Sequence, residues 1–98
     1  MNMQADAGLW ESAIFGQEVE NFLASRVGEY LLTYSQAQIA EAQMALEKVS
    51  PWRRRRIRDL QDTIRCWRGF EDRMRQAIED GRNATASLEE MHEDRIDG

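Results

Sequence analysis

The chain has 98 residues, a formal net charge of −5, one cysteine and one histidine. That length allows one small domain, and the lone Cys66 excludes a disulfide framework within it. A single histidine leaves little for imidazole or zinc chemistry, one proline and six glycines argue against a turn-rich β-sandwich, and no apolar run approaches the ~20 residues of a membrane span.

Residues 1–8 (MNMQADAG) carry little apolar content and read as a flexible lead-in. Asp6 and Glu11, with no basic cluster, are not what a secretory signal shows. Over 9–24 the apolar residues Leu9, Trp10, Ala13, Ile14, Val19, Phe22 and Leu23 recur at helical spacing, with Gly16 as a weak point. Ser25 to Gly28 is a break. A second helix is expected over 28–49: Leu32, Ile39 and Leu46 are seven apart, with Ser35, Ala42 and Val49 at the intermediate spacing, which makes a heptad seam.

Ser50-Pro51 is the sharpest punctuation in the chain. Serine caps helix N-termini and proline suits the first helical position, so a third helix is expected from Pro51, antiparallel to the second after so short a connection. Over 51–80 the residues Ile57, Leu60, Ile64, Trp67, Met74 and Ile78 give the strongest period in the sequence, and Gly81 stands where a helix-ending glycine belongs. The remainder, 82–98, reads as an acidic tail with at most one frayed helix. The expected fold is all-α: an antiparallel helical hairpin with a heptad seam, a short N-terminal helix and a weak C-terminal tail helix.

The net charge conceals an order. Residues 1–47 sum to −6, residues 48–75 to +6 and residues 76–98 to −5, and twelve of the thirteen bases are arginine. The densest cluster is Trp52, Arg53, Arg54, Arg55, Arg56 and Arg58, at the expected start of the third helix. Cations are disfavoured at a helix N-terminus and repel one another, so helix stability does not explain the run. Three compensating partners are open: nucleic-acid phosphate with Trp52 stacking on bases, the acidic helices of this chain or another copy, or an acidic patch on a different protein. A solvated face is the plain alternative, and the acidic flanks argue against a dedicated nucleic-acid binder.

No catalytic, metal or cofactor site stands out. Cys66, beside Trp67, reads as a small buried hydrophobe. His92 lies within Glu89-Glu90-Met91-His92-Glu93-Asp94, which lacks any metal-ligand spacing. Met44, Met74 and Met91 read as core or interface filler. A thin helical hairpin buries little, and the three tryptophans add aromatic surface that it covers poorly, so a homo-oligomer is expected.

The stretch Ile14-Phe15-Gly16-Gln17-Glu18-Val19-Glu20-Asn21-Phe22-Leu23, followed by Gly28-Glu29-Tyr30-Leu31, resembles small helical proteins encoded in tailed bacteriophages and prophages. The likeness continues more loosely through Ala42 to Val49, the Ser50-Pro51 turn and Leu60-Gln61, and so spans about residues 11–90. The arginine run at 53–56 departs from the more mixed text of that group. The resemblance implies a phage origin, a place in the bacterial host cytoplasm or the virion, and a role in virion assembly, genome packaging or a host interaction; it carries over no catalytic residue. The expected function is a non-enzymatic structural or assembly protein that acts through helix-mediated oligomerisation and an arginine-rich, partner-binding tip. The alternatives are a nucleic-acid-binding packaging accessory and an inhibitor of a host protein.

Overall fold

Ser25 sets the first boundary. Its side-chain oxygen accepts a hydrogen bond from the Gly28 backbone N–H at 3.1 Å, and its carbonyl accepts from Glu29 N–H at 2.9 Å, the two bonds of an N-cap. One residue therefore both ends the first helix and starts the second. The structure, a computed structural model, describes the backbone of residues 3–97 and the side chains of residues 6–94. Among these are three helices and no strand: α1 (Met3–Ala24), α2 (Arg26–Lys48) and α3 (Arg54–Asp97). Ser25→Ala is expected to cost about 1 kcal/mol, read as a lower thermal midpoint together with faster amide exchange at Gly28.

Three expected boundaries are corrected. Residues 3–8, read as a flexible lead-in, are already helical. The third helix begins at Arg54 rather than Pro51. Pro51 and Trp52 instead occupy the centre of a turn closed by the Arg53 N–H to Ser50 carbonyl bond of 3.0 Å, with proline at its favoured second position. The first helical bond is then Ile57 N–H to the Arg53 carbonyl, also 3.0 Å.

The third correction is the largest. α3 does not stop at Gly81 but runs to Asp97, so most of the expected tail is regular helix. A helix-ending glycine needs positive φ, and no described glycine has it. Gly81 is buried inside the helix for a packing reason given next.

The chain divides into two units, Met1–Ala24 with Met74–Gly98, and Ser25–Arg73. In the first, called here the α1 unit, α1 packs on the last part of α3 through glycines. A Cβ on Gly16 would lie 2.7 Å from the Ala77 carbonyl oxygen and 2.8 Å from the Gly81 Cα. A Cβ on Gly81 would lie 2.8 Å from the Gly16 Cα and 3.1 Å from the Ser12 carbonyl oxygen. Two helices meet here backbone to backbone, which only glycine permits on both sides. Val19 and Ala84 are buried beside the crossing, and Arg82 donates to Glu20 Oε1 at 2.7 Å at its edge. Gly16, the weak point of α1 in helix propensity, is thus also a point of close backbone approach to α3.

In the second, the α2 unit, α2 presents Gly28, Ser35 and Ala42, seven apart and all buried, along one line. Leu32, Ile39 and Leu46 flank that line half-buried. From α3 come Leu60, buried, and Ile57, Ile64 and Trp67, half-buried. The Ser35 hydroxyl, with 0% exposure, donates to Glu71 Oε1 at 2.9 Å. Tyr34 meets Trp67 edge-on with ring centroids 5.4 Å apart, and Trp67 meets Phe70 in the same manner at 6.2 Å. Met74 and Ile78, expected to continue this seam, belong to the α1 unit, where both are half-buried.

One burial expectation is corrected as well. Cys66 is exposed, because it lies about 120° around α3 from Leu60 at 100° per residue. Of the apolar residues of α1, Trp10, Ile14 and Phe22 are exposed, so the helical spacing at 9–24 does not mark a single buried face.

Candidate interaction site

The segment Trp52–Arg58 is built by the turn after α2 and the first turn of α3. Trp52 is 89% exposed. Arg53, Arg54, Arg55, Arg56 and Arg58 are all exposed, and the first turn of α3 holds no acid. None of these five arginines forms an ion pair among the described residues, whereas Arg65 pairs with Asp62 at 3.4 Å and Arg82 with Glu20 at 2.7 Å. Among the described residues the charge on the tip is therefore not compensated by this chain's own acids, and another copy, nucleic-acid phosphate and a different protein stay open as partners. Free N–H groups at the helix start add to the positive potential.

Four successive arginines, at 100° per residue, splay around most of the helix circumference. Such a collar suits end-on docking into a concave acidic surface. A helix that lies along a groove would carry its bases on one side. That one-sided arrangement does exist further along α3: Arg54, Arg58, Arg65 and Arg68 fall within an arc of about 80° at that rotation per residue. The conspicuous run at 53–56 hides this row, although spacings of 4, 7 and 3 identify it. Beside it lies a shallow recess lined by Gln61, Ile64, Arg65, Arg68, Gly69 and Asp72.

The α1 unit has its own recess, of about 430 Å³, between Trp10 and Ala13 of α1 and Leu88 and His92 of α3. Thr85 on its wall donates its hydroxyl proton to the Gly81 carbonyl at 3.0 Å. Its lining is mainly apolar, with Glu89, Glu93 and His92 at the rim. No group of three or more His, Cys, Asp or Glu among the described residues is placed to hold a metal ion.

The distribution of size is inverted across both units. The buried set is Gly16, Val19, Gly28, Ser35, Ala42, Leu60, Gly81 and Ala84. The exposed set includes Trp10, Ile14, Phe15, Val27, Tyr30, Met44 and Trp52, all above 50% exposure. Six of these eight buried residues are glycine, alanine or serine, while several large apolar side chains stand outside, unlike a self-sufficient core. No described helix is long and apolar enough to cross a membrane, so a lipid-spanning role does not account for these side chains.

Comparison with protein-family models, with curated proteins and with solved structures finds no match.

Proposed function

We propose that this chain is a non-enzymatic, phage- or prophage-encoded assembly protein of the bacterial host cytoplasm or virion, which works as a helical homo-oligomer and offers Trp52–Arg58 to an acidic partner protein. The exposure of Trp10, Ile14 and Phe15 on α1, and separately of Tyr30 and Met44 on α2, carries this reading, since large apolar side chains left outside mark association sites. In it, α2 and the first part of α3 form an antiparallel hairpin with a heptad seam. The Ser50–Arg53 turn and the Tyr34–Trp67 and Ser35–Glu71 contacts support that arrangement. The phage assignment rests on the sequence resemblance at Ile14–Leu23 and Gly28–Leu31.

Light scattering over a series of concentrations tests the oligomer: a mass at least twice 11.4 kDa is expected. An 11.4 kDa species at every concentration would refute it.

The nucleic-acid reading is favoured by one observation, the 89% exposure of Trp52 beside arginines that form no ion pair among the described residues. Its test is binding to single- and double-stranded DNA at rising salt. Affinity that falls steeply with salt, and is lost when Arg53–Arg56 become glutamine, would make it the better account. No binding at low salt would dismiss it.

A further inference from the structure

Resting on the self-association proposed above, we infer that the outer face of α1 in one copy docks antiparallel on the arginine row of α3 in a second copy, in a two-fold dimer. α1 is apolar on both sides, and such a helix is stable when both sides are covered. Its inner side, with Gly16 and Val19, is covered within the α1 unit. Its outer side shows Trp10, Ile14 and Phe15 at 58%, 53% and 56% exposure. Between Ile14 and Phe15, on the helical wheel, run Glu11 and Glu18, both exposed and seven residues apart.

The arginine row has the matching character. Arg58 and Arg65 are also seven apart, which places each pair about 10.5 Å apart along its helix axis. An antiparallel approach sets Glu11 of one copy against Arg65 of the other, and Glu18 against Arg58. Among the described residues Arg54, Arg58 and Arg68 have no acid partner, and Arg65 meets Asp62 at 3.4 Å.

Gly69 supplies a second, steric observation. A glycine inside a helix costs about 1 kcal/mol relative to alanine. At Gly16 and Gly81 the backbone crossing explains that cost; at Gly69 a Cβ would meet nothing within 4 Å. The space beside Gly69, next to Ile64, suits an apolar side chain of the incoming α1.

Charge selects a second copy with α1 on α3, and not α1 on α1. The α1 unit holds eleven acids and three bases, and the α2 unit ten bases and seven acids. Pairing α1 with α1 would set Glu11 and Glu18 against themselves, whereas α1 on α3 opposes unlike charges. A two-fold axis makes that contact twice and closes the assembly.

Sedimentation equilibrium on the full chain, with two charge-reversed variants, tests the pairing. Glu11→Arg with Glu18→Arg makes both faces basic, and Arg58→Glu with Arg65→Glu makes both acidic. Each variant alone is expected to dimerise at least about tenfold more weakly, and their equimolar mixture to recover wild-type mass because unlike faces meet again. Gly69→Leu, which finds open space within its own chain, is expected to keep its helicity and weaken the dimer by a similar factor. A wild-type chain that stays monomeric would overturn both this pairing and self-association itself. A wild-type dimer insensitive to the variants, a mixture that fails to recover, or a mass above dimer would overturn the pairing alone.

Discussion

Gly16→Ala is expected to destabilise the chain by about 2 kcal/mol, even though alanine is the better helix former by about 1 kcal/mol. The new Cβ would stand 2.7 Å from the Ala77 carbonyl oxygen and 2.8 Å from the Gly81 Cα. Both are backbone atoms of a continuous helix and cannot swing aside, so α1 must lift away from α3. Val19 and Ala84, 7% and 3% exposed, then lose contact. Overpacking of this kind costs about 1–3 kcal/mol and occasionally more, which exceeds the gain in helix propensity. A chain of this size should lose roughly 10 °C of melting temperature. Gly8→Ala provides the control, because a Cβ there meets nothing within 4 Å; the same substitution should raise stability by about 0.5 kcal/mol. Opposite signs at two positions of one helix identify the crossing, and equal signs would contradict it. Gly81→Ala should resemble Gly16→Ala, and the double variant should cost less than the sum, since one separation relieves both clashes.

That crossing was half legible. Ala77, Gly81 and Ala84 recur at spacings of 4 and 3, a helical face of small residues opposite Gly16. Hydropathy weights small residues lightly, and the polar text after Gly81 imitates a helix end. Local chemistry points to a stop there, and packing overrides it. In α2 the small residues were partly legible: Ser35 and Ala42 stand at the intermediate spacing of the heptad, but the buried line runs through them to Gly28 rather than on to Val49. A large residue marks the edge of such an interface because its centre has no room for one.

The arginine tip was legible as a cluster because it is contiguous in sequence, but its helical positions were not, since Ser50-Pro51 forms a turn and α3 starts only at Arg54. Its lack of internal partners was not, since ion pairing depends on which side chains the fold brings near. Which apolar residues of α1 face outward was not legible for a related reason. Its apolar residues surround the helix, and periodicity alone cannot say which side meets the chain's own α3.

Ser35→Leu is expected to cost about 3 kcal/mol, the largest single effect in the α2 unit. Ser35 has 0% exposure and lies on the buried line with Gly28 and Ala42, so leucine's extra carbons have nowhere to go without spreading α2 from α3. It also loses the 2.9 Å hydrogen bond to Glu71 Oε1. The two contributions separate by substitution. Ser35→Ala removes the bond and keeps the space, and should cost about 1 kcal/mol, because half-buried Glu71 can turn toward water. Glu71→Gln retains an acceptor oxygen at the same place and should cost less than Ser35→Ala. Urea unfolding midpoints at constant slope measure all three, and a cycle with Ser35→Ala and Glu71→Ala gives the coupling. A leucine variant within about 0.5 kcal/mol of wild type, the range of ordinary surface substitutions, would refute the close approach of the two helices at this position.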